Sequence, residues 1–387
     1  MIPYGKQEIS QQDIDSVVDV LTSDFLTQGP KVPAFEDAIK CYTGAEYAIA
    51  VNSATSALHI ACLALGLGKG DWLWTTPISF VASSNCGLYC GAQVDFVDID
   101  PRTYNLCPKA LERKLQQAKD QNCLPKVIVA VHLCGQSCDM NSIKRLAEQY
   151  NVRVIEDASH AIGGKYLDHA IGGNQYADIT IFSFHPVKII TTAEGGVATT
   201  NNRQVAEKLS LYRSHGVTRD PELLSRKDVG AWYYEQQDLG YNYRMTELQA
   251  ALGLSQIQRL DEFVAQRHKL AKRYDLELAD LPLVLPAQSD ETYSGLHLYV
   301  IRLKLEVISY SRKQVFDLLR EAGVGVNVHY IPIHTQPYYQ RLGFQEGDFP
   351  QAEQYYAEAI SLPMFHLMTD DQQSYVIQTL KSILGSL

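Results

Sequence analysis

The sequence lacks long apolar runs and blocks of basic charge. No apolar run reaches the roughly 18 residues that a membrane-spanning helix needs, and residues 1–7 lack the apolar core of a secretion signal. The formal net charge is −10, without a Lys- or Arg-rich block that would grip a phosphate backbone. We therefore expect a cytoplasmic protein without a nucleic-acid or membrane partner.

Cysteine is absent outside one part of the chain, because all eight cysteines lie between Cys41 and Cys138. A disulfide framework would require secretion, which nothing else in the sequence supports. Cys134 and Cys138 are spaced differently from a zinc-binding Cys-x-x-Cys pair, and no second Cys or His pair follows them. We expect reduced thiols and no metal site.

The chain has 387 residues, of which 46% are hydrophobic, enough for a large domain and a smaller one. Short β-branched runs alternate with helical stretches from about residue 14 to 203, which predicts βαβ units around a mainly parallel sheet. We predict an α/β fold with a large domain over 1–250 and a small α+β domain over 251–387. Predicted strands are 48–51, 72–75, 94–98, 126–132, 152–155 and 178–184, followed in the small domain by 297–303 and 324–330.

Two candidate chemical residues follow predicted strands. Asp157 comes directly after an apolar strand, where parallel sheets bind ligands, although an aspartate there can simply cap a turn. Lys188 has the apolar neighbours Val187, Ile189 and Ile190. A dry environment disfavours the ammonium form and makes a nucleophilic amine accessible, as a Schiff-base lysine requires. The alternative is an ordinary solvated loop lysine.

A third candidate is the segment 51–58, in which a strand runs through small hydroxyl residues into a helix. The N-terminus of a helix offers free N–H groups and a positive dipole end to a phosphate. Thr55 and Ser56 could equally be plain helix caps. Together the three segments supply a lysine, an acid and a phosphate site, which are the groups that pyridoxal 5′-phosphate requires.

These segments carry a resemblance that spans essentially the whole chain. The segments 52–58, 77–85, 156–160, 183–188 and 240–244 resemble the corresponding motifs of the sugar-nucleotide aminotransferases of the DegT/DnrJ/StrS family. The resemblance implies the aspartate aminotransferase-like fold type I. Segments 25–29, 213–216 and 328–333 are most similar to the branch that acts in pseudaminic acid biosynthesis, and the lysine motif is shared with the 4-amino-arabinose branch.

The resemblance also implies roles for individual residues. Lys188 would bind the cofactor aldehyde and act as acid and base, Asp157 would hold the ring nitrogen, and His160 would lie near the ring. Phe80 would stack on the ring, unless it only fills the core. The phosphate would be held by Thr55, Ser56, Ser183 and, from a second subunit, Asn242. The substrate residues implied are Tyr4, Asp24, Phe25, Leu26, Thr27, Arg213, Arg244, His329 and Tyr330.

The implied reaction moves an amino group from L-glutamate to C4 of a UDP-linked 4-keto-6-deoxy-N-acetylhexosamine, in a homodimer with shared active sites. Three alternatives stay open. Family members that dehydrate or deoxygenate sugars have His in place of Lys188, and a non-catalytic cofactor-binding regulator would be expected to lose one of the chemical residues. A nicotinamide enzyme is disfavoured because Gly66, Gly68 and Gly70 lack the Gly-x-Gly-x-x-Gly spacing.

Overall fold

The computed structural model describes residues 1–226 and 229–385. In that part of the chain no helix is long and apolar enough to cross a membrane. The strands are β1 Tyr47–Val51, β2 Trp72–Thr75, β3 Gln93–Phe96, β4 Val127–Val131, β5 Arg153–Asp157, β6 Lys165–Tyr166, β7 His169–Ala170, β8 Ile179–Ser183, β9 Gly196–Thr200, β10 Val217–Thr218, β11 Glu235–Gln236, β12 Leu283–Val284, β13 Thr292–Tyr293, β14 Tyr299–Leu303 and β15 Ala359–Leu362.

Helices cover the sheet and form much of the C-terminal part. They are α1 Gln11–Leu21, α2 Lys31–Thr43, α3 Ala54–Ala64, α4 Ala82–Tyr89, α5 Pro108–Asp120, α6 Met140–Tyr150, α7 Arg203–Arg213, α8 Glu247–Ile257, α9 Leu260–Glu277, α10 Arg312–Glu321, α11 Pro337–Gln340, α12 Pro350–Glu358 and α13 Asp370–Leu384. Several begin at a Ser or Thr whose side chain accepts from the first turn, as Ser53 does for α3.

A seven-stranded sheet in the order β1-β9-β8-β5-β4-β2-β3 forms the centre of the molecule. The strands are parallel except β9, which runs antiparallel to both β1 and β8. All five residues of β4 are buried, as expected for a parallel strand covered on both faces. The predicted α/β fold with a mainly parallel sheet is confirmed. Because β5 and β8 are parallel neighbours, their carboxyl ends bring Asp157 and Ser183 to one edge.

The C-terminal part contains a small antiparallel sheet in the order β12-β14-β15. The strand predicted over 324–330 is wrong, because that segment makes only isolated bridges, of Val324 with Ile2 and of Asn327 with Ser361. Its alternating valines are explained by packing without a ladder, since Val324 and Val326 are buried in the core beside α10 and α13.

The first residues of the chain pack against this C-terminal part. The amide of Ile2 donates to the carbonyl of Gly323, and the amide of Met364 donates to the carbonyl of Tyr4. Tyr4 is thereby placed beside His329, with 5.4 Å between the ring centroids. The division of the chain near residue 250 stays a prediction.

Candidate active site

A cavity of about 480 Å³ opens at the carboxyl edge of the sheet, where α3, α4 and the 326–333 segment approach β5 and β8. Its wall contains many of the residues that the sequence predicts for the site, drawn from distant parts of the chain. They are Tyr4, Thr55, Phe80, Asp157, His160, Ser183, Lys188, His329 and Tyr330. The three candidate segments therefore do meet at one place.

Asp157 is buried at the end of β5, and hydroxyl groups surround its carboxylate. Oδ2 accepts from the hydroxyl of Ser83 at 2.6 Å, while Oδ1 accepts from the hydroxyl and the amide of Ser159 at 2.6 and 3.1 Å. Ser79 approaches the Ser83 hydroxyl at 2.7 Å. Three donors to the charged form stabilise a carboxylate, so Asp157 can face a protonated ring nitrogen.

Lys188 lies in a loop that the core holds at both ends. Ile189 and Ile190 are buried directly after it, and Thr192 donates its amide to the carbonyl of Phe184. Burial lowers the pKa of Lys188 to about 8, although the carboxylate of Asp157 opposes the shift. A neutral, nucleophilic amine is consequently far more accessible at Lys188 than at an ordinary surface lysine, which is the property a Schiff-base lysine requires.

The N-terminus of α3 supplies a site for a phosphate group. Ser53, Ala54 and Thr55 line the cavity, and the first amides of a helix have no acceptor within the helix. Gly196 of β9 allows this approach, because a Cβ there would come within 2.5 Å of the Ala54 nitrogen. Ser183, which pairs with Gly196, completes the wall on the β8 side.

Ser56 lies outside this lining, and its predicted contact with the phosphate stays a prediction. Its hydroxyl donates to Oδ1 of Asn52 at 2.7 Å, and its amide donates to Ser53. The direction of the first helical turn explains this placement, since Ser56 faces the core and is buried. Ser53, a helix cap that the sequence did not distinguish from its neighbours, borders the cavity instead.

Aromatic and imidazole rings form the remaining walls. Phe80 is 60% exposed and its ring lies 6.4 Å from that of Tyr330, so Phe80 does not fill the core. His160 is buried, and burial together with the charge of Lys188 holds the pKa of His160 well below its usual value. The same two causes lower the pKa of His329 to about 4. Both imidazoles in the cavity wall therefore favour the neutral form.

Several predicted residues lie outside the cavity of their own chain. Asp24, Phe25, Leu26 and Thr27 are exposed, and Thr27 forms a bridge with Thr246 at the start of α8. Asn242 is also exposed. A residue that is exposed in one chain is free to contact a second one, so the predicted roles at a subunit boundary stay predictions.

The two predicted arginines differ from each other. Arg213 forms an ion pair with Glu36 and also donates to the carbonyl of Ala50 at 2.8 Å, so its guanidinium joins α7 to α2 and β1 away from the cavity. Arg244 forms a backbone bridge with Val51, close to the N-terminus of α3. Among the described residues, the Arg244 side chain has neither an ion pair nor a hydrogen bond.

Sequence reasoning missed the hydroxyl groups that hold Asp157. Ser83 lies 74 residues from Asp157 in the chain, and only the packing of α4 against the sheet joins them. Ser79 precedes α4 and Ser83 lies in its first turn, so helical spacing does not relate the two hydroxyl groups and no local signal marked them. The amide of Cys134, which donates to Nδ1 of His160 at 3.3 Å, left no signal in the sequence.

Residues 7–381 match the model of the DegT/DnrJ/EryC1/StrS aminotransferase family. The chain belongs to this family. It is 37% identical, over 99% of its length and 98% of the relative, to the UDP-4-amino-4,6-dideoxy-N-acetyl-beta-L-altrosamine transaminase of Campylobacter jejuni. It is also 37% identical, over 99% and 97%, to the spore coat polysaccharide biosynthesis protein SpsC of Bacillus subtilis.

Solved structures give the same result. The aminotransferase PseC of Helicobacter pylori, involved in the biosynthesis of pseudoaminic acid, matches with a TM-score of 0.91 and 32% identity over 100% of both chains. The PLP form of the putative sugar aminotransferase Spr1654 of Streptococcus pneumoniae matches with a TM-score of 0.89 and 29% identity over 99% of this chain and 98% of that one. The chain is thus a sugar aminotransferase of fold type I, as its sequence predicts.

Proposed function

We propose that this aminotransferase moves the amino group of L-glutamate to the C4 keto group of a UDP-linked 4-keto-6-deoxy-N-acetylhexosamine. The observation that carries the proposal is the single cavity in which the amine of Lys188 and the carboxylate of Asp157 meet. The similarity to a UDP-altrosamine transaminase supports the choice of sugar. The chain is 37% identical to SpsC as well, so the test below includes other sugars.

The cofactor is pyridoxal 5′-phosphate, and the residues of the cavity fit it. When bound, it supplies an aldehyde for covalent linkage to amines and a ring that accepts the electron pair of a broken C–H bond. Among the residues that the structure describes, Lys188 is the only lysine that lines the cavity. Asp157 suits the ring nitrogen, and the N-terminus of α3 with Thr55 and Ser183 suits the phosphate.

Lys188 has two tasks in this proposal. Its neutral amine would hold the cofactor in the resting enzyme, and Nζ would be a free base inside the cavity while the amino donor is bound. Nζ then takes the proton from the α-carbon of the donor, which general-base catalysis favours when the pKa lies near the working pH. During this transfer Ser83 and Ser159 hold the Asp157 carboxylate in place by donating hydrogen bonds to it.

The active sites are proposed to be shared within a homodimer. Tyr241 and Tyr243 stack on each other and approach His59 on α3, at 4.7 and 6.0 Å between ring centroids. Asn242 between them is exposed, so its side chain is available to a second chain. Most soluble oligomers have closed symmetry with two-fold dimers the commonest, which suits reciprocal contribution of Asn242 to the partner's phosphate site.

The experiment is an amino-transfer assay on the purified protein. It is incubated with L-glutamate and a panel of UDP-4-keto sugars, including a 6-deoxy-N-acetylhexosamine and a pentose, and the product is assigned by NMR. We expect amination at C4 of the hexosamine and no product from Lys188→Ala. Amination of the pentose alone would refute the proposed sugar, and cofactor binding without turnover on any sugar would favour a binding protein.

A further inference from the structure

Tyr330 and His160 face each other in the cavity wall although 170 residues separate them. The phenolic oxygen of Tyr330 lies 3.1 Å from Nε2 of His160, and the two rings are inclined by only 20°. One hydrogen must lie between these atoms. Which residue donates it decides the chemical character that Tyr330 presents to a ligand.

A backbone amide determines which nitrogen of His160 carries the hydrogen. The amide of Cys134 donates to Nδ1 of His160 at 3.3 Å. An amide nitrogen donates and does not accept, so Nδ1 carries no hydrogen, and a neutral imidazole then has its hydrogen on Nε2. His160 is buried, and burial disfavours a second proton on the ring. Nε2–H is therefore the donor and the oxygen of Tyr330 the acceptor.

The hydrogen of the Tyr330 hydroxyl is consequently directed away from His160. We propose that Tyr330 is an oriented hydrogen-bond donor to an acceptor-only oxygen in the cavity, and that Cys134 and His160 are positioning residues that orient it. A ketone or an anionic oxygen has this character, whereas a sugar hydroxyl also donates. This inference rests on the proposed function, which supplies two such oxygens, the keto oxygen of the sugar and the oxygen on the cofactor ring.

The surrounding backbone fixes each member of the Cys134–His160–Tyr330 hydrogen-bond chain, which is called the relay below. Cys134 has a φ of 60°, and Gly135 has a φ of 105° with a position where a Cβ would come within 2.8 Å of the His160 carbonyl. On the other side, Tyr355 donates its buried hydroxyl to the carbonyl of His329 at 2.7 Å, directly before Tyr330. Neither ring can turn freely, so the direction of the hydrogen is built into the fold.

The first test reads the tautomer of His160. Nitrogen NMR of the cofactor-loaded enzyme with labelled histidine, with His160→Gln used to assign the signal, should show hydrogen on Nε2 and none on Nδ1. A hydrogen on Nδ1 would overturn the relay. This measurement requires no turnover, so it is independent of whether the proposed sugar is the right one.

The second test separates the two acceptors. Tyr330→Phe should lower kcat/KM about tenfold, the typical loss for one hydrogen bond, with Tyr310→Phe as the exposed control. Because the variant also leaves the buried Nε2–H of His160 without its acceptor, it should lower the temperature of thermal unfolding as well. If the keto oxygen of the sugar is the acceptor, only the half-reaction with the sugar slows. If the oxygen on the cofactor ring is the acceptor, the visible absorbance of the resting enzyme also shifts. An unchanged kcat/KM together with an unchanged spectrum would overturn the proposal.

A third comparison isolates the role of His160. In His160→Gln the side-chain amide can still donate toward Tyr330, whereas in His160→Leu no donor remains. Gln should therefore retain several-fold more activity than Leu, and equal losses would contradict a positioning role. Absence of any reaction of the wild-type enzyme with glutamate would refute the proposed function instead, and would leave the tautomer measurement in force.

Discussion

The hydroxyl of Ser83 donates to Oδ2 of Asp157 at 2.6 Å, across 74 residues of chain. Ser159 donates its hydroxyl and its amide to the other carboxylate oxygen, so two hydroxyl groups and one amide hydrogen-bond to this buried acid. A carboxylate held in this way has a fixed orientation toward a ligand in the cavity. Its carboxylate is the group expected to face the ring nitrogen of the cofactor.

Ser83→Ala is expected to weaken this arrangement. A hydrogen bond to a charged group contributes about 1.5–3 kcal/mol, which corresponds to a loss of roughly 10- to 150-fold in the step that depends on it. We expect kcat to fall with little change in the KM for glutamate, measured in stopped-flow half-reactions. Ser142→Ala on α6 is the matched control, and a wild-type kcat in Ser83→Ala would show that Ser159 alone suffices.

The sequence predicted those parts of the site whose residues are neighbours in the chain. Asp157 and Lys188 were identifiable because a strand or an apolar context surrounds each of them locally. The contacts of Ser83 with Asp157 and of Cys134 with His160 depend on how distant elements pack, which no local pattern encodes. The strand predicted over 324–330 failed for a related reason, since alternating burial can arise without a ladder.

The reactivity of Lys188 should follow its lowered pKa. With a pKa of about 8, roughly a tenth of the amine is neutral at pH 7, whereas a free lysine derivative is almost wholly charged there. The rate at which cofactor-free enzyme binds pyridoxal phosphate should rise with pH through about 8 and then level off, as followed by visible absorbance.

Two controls test the cause of this pH dependence. Nα-acetyl-lysine, whose ε-amine is free, should react with pyridoxal phosphate ever faster up to about pH 10 in the same buffers. Because the carboxylate of Asp157 raises the pKa of Lys188, Asp157→Asn should move the midpoint to lower pH. A midpoint above 10 in the wild-type enzyme would contradict the burial of the amine.

Shared active sites can be tested by mixing two inactive variants. Lys188→Ala removes the amine, and Asn242→Ala removes the amide that is proposed to reach the partner's phosphate. In a mixed dimer one of the two sites has both residues intact, so random exchange should restore about a quarter of the wild-type sites. The measurement is activity after co-refolding the two variants, and each variant refolded alone is the control. If Asn242 served its own chain, mixing would restore nothing.

Gly196→Ala should damage the phosphate cradle. The added Cβ would come within 2.5 Å of the Ala54 nitrogen and 2.6 Å of the Ser53 carbonyl carbon, and both are backbone atoms that cannot turn aside. Overpacking of this kind typically costs about 1–3 kcal/mol. We expect a lower free energy of unfolding and a weaker affinity for pyridoxal phosphate. Gly68→Ala, which meets nothing within 4 Å, should leave both quantities unchanged.

Arg213 provides a case in which the position in the fold favours a structural role over the predicted contact with substrate. Its guanidinium is paired with Glu36 and the carbonyl of Ala50, and both side chains of the pair are less than one-fifth exposed. Removing one partner leaves the other charge unpaired, so Arg213→Ala and Glu36→Gln should each destabilise the protein measurably in urea unfolding.

The kinetic consequence of the Arg213 pair separates the two roles. If the ion pair only joins α7 to α2, Arg213→Ala lowers the free energy of unfolding and leaves the KM for the sugar nucleotide unchanged. The double variant Arg213→Ala/Glu36→Gln should then lose less than the sum of the single losses, because neither charge remains alone. A KM raised tenfold or more in Arg213→Ala, with Glu36→Gln at the wild-type KM, would instead assign the guanidinium to the diphosphate of the substrate.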